Sequence, residues 1–311
     1  MKRAAKTTRN RLTARIGACA AVLLFAVPIA AAVDSVTPIA DVALLREFVQ
    51  PMVVVDFADL PEQHCVIDTG SGVGVLHSKL TVKAGRVGLR NITVANGKVA
   101  MPVVEMRSVA IGAAKVSFVE FLQRDQSWFA ADEPLPCIIG INFLAHFTVD
   151  LDGSSGRMRL FPRGTKIDSI LGTPTPPEVH LAAKIWQSGL IRVETRIGDV
   201  RAQSQIDTGW GYGSANSALL NALGLDKDGR SVITRSWTNR DSGRTHSIQM
   251  MEINDVRIGA LHIDKTEIVV SDTTLSVIRK PFEPYLQIGW GLIGKHRLLI
   301  DFTHADVALV P

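Results

Sequence analysis

Two copies of the tripeptide Asp-Thr-Gly stand far apart in this 311-residue chain, at Asp68-Thr69-Gly70 and at Asp207-Thr208-Gly209. The glycine permits a tight loop and a close backbone approach where a side chain would clash. If the two loops meet, carboxylates about 3 Å apart at an effective dielectric of about 20 repel each other by on the order of 5 kcal/mol. Such a pair holds one proton over a wide pH range, so one carboxylate can activate a water while the other donates a proton. The motifs therefore predict hydrolysis that needs neither a metal nor a covalent intermediate.

Each motif ends one copy of an internal repeat. The two stretches have equal length and read VVVDFADLPEQHCVIDTG (residues 53–70) and RVETRIGDVRAQSQIDTG (residues 192–209). Both are typical of a strand, a polar turn and a second strand. The repeat predicts an internal duplication that supplies one carboxylate from each half.

The halves stay parallel further along the chain. Asn96-Gly97 lies between two strand-like runs and predicts a hairpin turn, and Ser242-Gly243 takes the comparable place in the second half. Each half then has an apolar segment ending in Ile-Gly, and each closes with a predicted strand hairpin, FTVDLDGSSGRMRLF or LLIDFTHADVALV. Short alternating strands dominate, so we predict a mainly β protein with two similar β-rich lobes and a cleft between them.

The predicted domain boundaries follow from these patterns. They are a signal peptide (residues 1–32), an N-terminal segment (33–50), a first lobe (51–162), a linker (163–180) and a second lobe (181–311). The linker contains Thr-Pro-Thr-Pro-Pro and is expected to be an extended connector. Helical signals are few and fall at residues 40–48, 142–146 and 217–223. Residues 33–50 are either a short pro-segment or a helix on the first lobe.

The first 32 residues have the order of a secretory signal. Six basic residues and no acidic one precede an apolar run at residues 16–29, which is followed by Ala30-Ala31-Ala32. Removing this segment would turn the formal charge of +4 into −2, so the basic balance belongs to targeting and does not indicate a nucleic-acid partner. We expect a periplasmic or secreted protein with no stable membrane insertion.

On these motifs the chain resembles the retropepsin-like and pepsin-like aspartic peptidases, especially exported bacterial ones. The resemblance covers nearly all of the mature chain, twice over. It rests on Val66-Ile67-Asp68-Thr69-Gly70-Ser71 and Ile206-Asp207-Thr208-Gly209, and on the downstream elements Ile138-Ile139-Gly140 and Gln287-Ile288-Gly289.

The resemblance implies a role for each residue of the motifs. Asp68 and Asp207 would be catalytic, and Thr69 and Thr208 would hydrogen-bond across the interface. Gly70 and Gly209 would complete the two loops. The region around Asn96 and Gly97 would form a flap over an extended peptide.

Two positions depart from the family's pattern. Ser71 follows the first motif, as the family prefers, and its hydroxyl could donate to Asp68; Trp210 follows the second and cannot make that contact. Losing a donor raises a carboxyl pKa, so we predict activity nearer neutral pH than that of a pepsin. Trp210 could instead fill the cleft and leave the protein inactive. Gln287, in place of an apolar residue, is a smaller departure.

Cys65 and Cys137 each stand three residues before a landmark of the family, Asp68 and Gly140. If their strands run side by side the two sulfurs could meet as a disulfide. Otherwise both are small buried apolar residues.

Other chemistries have weaker signals. The glycines of residues 289–294 match a dinucleotide-binding pattern, but the chain ends before the helix, strand and acidic residue that this unit needs. Asp150 and Asp152 suggest a calcium loop that lacks its required glycine, and the eight histidines have no metal-ligand spacing. No metal and no cofactor is therefore expected.

The sequence thus predicts an aspartic endopeptidase, a monomer that takes an extended peptide or an unfolded protein as substrate. The alternative is a peptide-binding or regulatory protein that keeps the fold without catalysis.

Overall fold

The computed structural model describes residues 36–45, 49–58, 60–80, 86–94, 97–124, 137–186, 188–225, 232–238, 245–272 and 282–311. The predicted signal peptide and Asn96 lie outside these residues. Residues 33–311 form one compact unit. No helix in the described part of the chain is long and apolar enough to cross a membrane.

The chain is mainly β. The strands of the first half are β1 (Ala40–Ala43), β2 (Met52–Phe57), β3 (Leu60–Ile67), β4 (Gly74–His77), β5 (Arg86–Val94), β6 (Gly97–Ile111), β7 (Ala114–Arg124), β8 (Cys137–Ile139), β9 (Phe147–Asp152) and β10 (Arg157–Pro162). Those of the second half are β11 (Lys184–Ile185), β12 (Ile191–Ile197), β13 (Val200–Asp207), β14 (Gly213–Ala215), β15 (Val232–Thr238), β16 (Thr245–Ile258), β17 (Leu261–Val270), β18 (Tyr285–Gly289), β19 (Arg297–Asp301) and β20 (Asp306–Val310).

The strands form two barrel-like domains with the same topology. In the first barrel, β2 to β8, the strand order is β2-β3-β8-β4-β7-β6-β5, and β2 also pairs with β6. In the second barrel, β11 to β18, the order β12-β13-β18-β14-β17-β16-β15 repeats it, with β11 added at the edge and β12 also pairing with β16. The match agrees with the internal duplication read from the sequence.

A third sheet is shared by the two halves. Its strand order is β1-β10-β9-β19-β20. Both predicted terminal hairpins, β9–β10 and β19–β20, are present, and β9 pairs with β19. The carboxylate of Asp150, on β9, is fully buried and accepts two hydrogen bonds from Arg297, on β19, at 2.9 and 2.7 Å. Asp150 therefore helps to join the halves, consistent with the strand-and-turn interpretation of this segment.

Helices are short. They are α1 (Ile141–Leu144), α2 (Ile167–Leu171), α3 (Ser217–Ala222), α4 (Trp290–Ile293) and a 3₁₀ turn at Pro177–Val179. The helical signals at residues 142–146 and 217–223 correspond to α1 and α3. The predicted extended connector at residues 163–180 is helical in part, because α2 and the 3₁₀ turn lie within it.

The helical signal at residues 40–48 is wrong where the structure describes it. Residues 40–43 form β1, which pairs antiparallel with β10. Arg157 holds this edge in place by donating from Nε to the Asp41 carboxylate at 2.8 Å. Pairing to an existing sheet overrides the weak helix preference of the segment.

Candidate active site

The Asp-Thr-Gly loops follow equivalent strands. Asp68 comes directly after β3, and Asp207 is the last residue of β13. Each strand runs parallel to the strand that ends in the Ile-Gly pair, so that Ile67 pairs with Ile139 and Asp207 with Gly289. A side chain at Gly289 would collide with the carbonyl of Tyr212, and one at Gly140 would collide with the backbone around Val73. The two glycines allow these strands to thread beside the loops.

Reciprocal threonine contacts lock the two loops together. Thr69 N–H donates to Thr208 Oγ1, and Thr208 N–H donates to Thr69 Oγ1, both at 3.1 Å. The hydroxyls then donate into the opposite loop, Thr69 to the carbonyl of Ile206 at 3.0 Å and Thr208 to that of Ile67 at 2.7 Å. Both threonines are fully buried. The contacts agree with the expectation for Thr69 and Thr208 and give the interface a local two-fold arrangement.

The same arrangement brings the two carboxyls together. Asp68 and Asp207 share a side-chain hydrogen bond. A side chain added at Gly70 would overlap the carboxyl of Asp207, and one added at Gly209 would overlap that of Asp68. The glycine of each motif therefore makes room for the carboxyl of the other.

Burial raises the pKa of the Asp68 carboxyl well above its usual range, and the charge of Asp207 raises it further. Burial also raises the pKa of Asp207, against hydrogen bonds from Asp68 and from Gln287. A hydrogen bond to the ionised form favours that form. The hydrogen bond from Gln287 therefore favours the ionised form of Asp207, while burial and the charge of Asp207 favour the protonated form of Asp68.

Gln287 is the site residue whose role the sequence analysis missed. Its Nε2 donates to Asp207 Oδ2 across the short gap between β18 and β13. In the sequence, Gln287 is only a departure from an apolar position. The alternation of side chains along a strand places Gln205 and Asp207 on one face of β13, but the position of Gln287 beside them is fixed only by the register between β13 and β18.

The prediction for the Ser71 hydroxyl is wrong. Ser71 Oγ donates to the carbonyl of Val73 at 2.7 Å and so shapes its own loop. The carboxyl of Asp68 instead accepts from the backbone N–H of Gly70 at 2.7 Å and from that of Ser71. A serine hydroxyl so close to a free carbonyl makes the local bond first.

Trp210 is tied to its own barrel. Its indole Nε1 donates to Ser214 Oγ at 2.8 Å, and its ring meets that of Tyr212 edge to face, with centroids 6.4 Å apart. Its carbonyl accepts from the N–H of Trp290, the first residue of α4, at 2.7 Å. These contacts fix the loop after the second motif.

The predicted hairpin at residues 96–97 forms between β5 and β6, where Gly97 pairs with Val94. Asn96 itself lies outside the described residues. The second barrel has a corresponding hairpin between β15 and β16.

Cys65 and Cys137 form a disulfide, so the first of the two alternatives holds. They are register partners on the parallel strands β3 and β8, with Cα atoms 4.7 Å apart. The bond lies directly behind the strand ends that carry Asp68 and Gly140.

Among the described residues, no group of three or more His, Cys, Asp or Glu side chains is arranged to hold a metal ion. No protein-family model matches the chain, and no curated protein matches it in sequence.

Proposed function

We propose that this protein is an aspartic endopeptidase of the retropepsin-like or pepsin-like type, with Asp68 and Asp207 as its catalytic pair. The observation that carries the proposal is the paired carboxyl arrangement, in which each carboxyl sits against the glycine of the opposite motif. Burial and the repulsion between like charges oppose ionisation of both carboxyls, which favours the singly protonated state that acid–base hydrolysis requires.

The reaction uses the two carboxyls in different roles. Asp207, ionised and held by Gln287, accepts a proton from a water bound between the carboxyls. The resulting hydroxide attacks the carbonyl carbon of the peptide, while Asp68 gives its proton to the carbonyl oxygen. The tetrahedral intermediate then returns a hydroxyl proton to Asp68, and its nitrogen takes the proton held by Asp207. The carbon–nitrogen bond breaks, and the pair regains its starting state.

An extended peptide suits the strand-rich surroundings of the pair. A peptide in β conformation pairs its backbone with neighbouring strands and presents alternate side chains to opposite sides. The hairpins β5–β6 and β15–β16 supply candidate strands, one from each barrel.

The peptide-binding alternative depended on Trp210 filling the cleft. The hydrogen bond from its indole to Ser214 gives the ring a supporting role within the second barrel, which favours the peptidase. Catalysis remains the property to be tested.

The test is peptide cleavage by residues 33–311, the compact unit of the chain. The wild type, Asp68→Asn and Asp207→Asn would each be incubated with a diverse mixture of unstructured peptides between pH 3 and 7.5, with products read by mass spectrometry. We expect cleavage by the wild type and a loss of about 10²- to 10⁴-fold in both variants, the usual contribution of a catalytic acid or base.

Asp264→Asn is the matched control, because its side chain is 94% exposed and distant in sequence from both motifs. This control should cleave like the wild type. If the wild type and all the variants stay folded but inert, the peptidase proposal fails and the binding-protein alternative takes its place.

A further inference from the structure

The two barrels differ sharply in one row of side chains beside the carboxyl pair. In the first barrel the cross-strand partners of β2, β3, β8 and β4 are Met52, Val66, Ile138 and Val75. In the second barrel the equivalent partners of β12, β13, β18 and β14 are Arg192, Gln205, Gln287 and Ser214. Every apolar residue of the first row is thus replaced by a polar or charged one.

Both rows lie on the face that carries the catalytic carboxyl. Val66 is two residues before Asp68, and Gln205 is two residues before Asp207. Because side chains alternate along a strand, residues two apart lie on the same face. The rows are therefore the two sides of the same site.

Apolar side chains of the first barrel bury the first row. Its four residues are buried in a small apolar cluster with Met101, Val103 and Leu122, from β6 and β7. This side leaves little room for a polar ligand group.

Only some of the polar groups in the second row form hydrogen bonds with other residues of the same barrel. Gln287 donates to Asp207, and Ser214 accepts from Trp210. Gln205 Oε1 lies 3.5 Å from the hydroxyl of Tyr285. Arg192 and Gln205 are half-buried, so a ligand in the site can reach both.

Arg192 has an unused hydrogen-bonding atom. Its guanidinium carbon stacks 3.7 Å from the centre of the Trp186 ring. Its Nε is buried without a hydrogen-bond partner, and in the described part of the chain no carboxylate lies within ion-pair distance of this side chain. Burying a donor without an acceptor costs free energy, so this side chain has hydrogen-bonding capacity that the described residues do not use.

Arg192 also lies in the electrostatic neighbourhood of the pair. Burial raises the pKa of the Tyr285 phenol, the charge of Arg192 lowers it, and the charge of Asp207 raises it further. Tyr285 and Gln287 lie on the same face of β18. The charges of Arg192 and Asp207 therefore both act on Tyr285, beside the second row.

We propose that the second barrel binds an acidic side chain of the substrate, Asp or Glu, with Arg192 as the counter-charge and Gln205 as a second polar contact. The inference rests on the proposed peptidase function, because it concerns the selectivity of that same site. A planar guanidinium held flat on Trp186 suits a carboxylate, which accepts two parallel hydrogen bonds.

The strand spacing gives the approximate place of the acidic residue. Arg192 is two strands from Gln287, which is about 10 Å at the usual spacing between strands. An extended peptide rises about 3.3 Å per residue, so the acidic side chain falls within about three residues of the cleaved bond, on one side only.

The test compares peptides made in pairs that differ only by Glu or Gln at one position. At pH 6.5, the wild type should cleave the Glu peptides about tenfold faster at one position within three residues of the bond. Arg192→Met should remove this preference, and Arg192→Glu should replace it with a preference for Lys or Arg. Arg201→Met is the matched control and should keep the wild-type preference, since Arg201 is an exposed residue of the same hairpin.

A second measurement distinguishes failure of the peptidase proposal from failure of the acidic-side-chain proposal. The Asp68→Asn variant is mixed with the same peptides, and the peptides that stay bound to it are identified by mass spectrometry. Cleavage with equal rates for Glu and Gln peptides overturns the acidic-side-chain inference and leaves the peptidase intact. Arg192-dependent retention of Glu peptides without cleavage by the wild type supports the binding site and overturns the peptidase. If the protein shows neither cleavage nor selective retention, both proposals are overturned.

Discussion

The two barrels share a strand order and an Asp-Thr-Gly loop, yet different side chains surround that loop in each barrel. Backbone N–H groups donate to both carboxyls, and the first barrel adds an apolar row and a disulfide beside Asp68. The second supports Asp207 with a side-chain donor, Gln287, in a polar row. The repeated backbone sets the geometry of the pair, and the two carboxyls differ in the side chains that surround them.

The comparison extends to the layer behind the loops. Cys65 and Cys137 correspond by register to Ser204 and Leu286 in the second barrel. Where the first barrel has a covalent link, the second has a hydrogen bond of 2.6 Å between the hydroxyls of Ser204 and Thr195. The first barrel is thus cross-linked at the position where the second relies on packing and hydrogen bonds.

The largest difference expected between the barrels concerns stability. The double variant Cys65→Ala/Cys137→Ala removes a link between residues 72 apart in sequence and should lower the free energy of unfolding by about 2–4 kcal/mol. Ser204→Ala, at the equivalent place, removes one hydrogen bond and should cost about 0.5–1.5 kcal/mol. Denaturant unfolding of the wild type and both variants measures the two values. Equal costs would show that the disulfide stabilises the first barrel no more than one hydrogen bond stabilises the second.

A smaller effect is expected from making the second row resemble the first. Gln287→Ile removes a donor that favours ionised Asp207, so the pKa of that carboxyl should rise. Activity requires the ionised form, and the acid limb of the pH–rate profile should therefore move to higher pH.

Gln203→Ile tests whether this shift is specific, because Gln203 is an exposed residue of the same strand as Asp207. Its profile should match that of the wild type. An unchanged acid limb in Gln287→Ile would mean that Gln287 does not set the ionisation of Asp207.

Much of the fold could be predicted because its signals are local. The repeated Asp-Thr-Gly, the Ile-Gly pairs and the terminal hairpins each lie within a few consecutive residues, and together they predicted a duplicated, mainly β chain. The reciprocal threonine contacts followed from the family resemblance. The pairing of Cys65 with Cys137 stayed open until the register of β3 and β8 was known.

The rest depended on register between distant segments. The polar row joins Arg192, Gln205, Ser214 and Gln287 from four strands, and no single segment shows that they are neighbours. The hydroxyl of Ser71 was assigned to Asp68, yet it bonds to the carbonyl of Val73 because that acceptor is closer along the chain. Residues 40–43 form a strand only because β10 is present to pair with them.

The most direct test of the central claim is the pH dependence of kcat/KM for peptide cleavage, measured for the wild type and for Asp68→Asn and Asp207→Asn. Two coupled carboxyls that share one proton should give a bell-shaped profile for the wild type. Because burial raises both pKa values, the maximum should lie nearer neutral pH than that of a pepsin, and neither variant should show a comparable bell. Full activity in either variant, or a wild-type maximum near pH 3, would contradict this account of the buried pair.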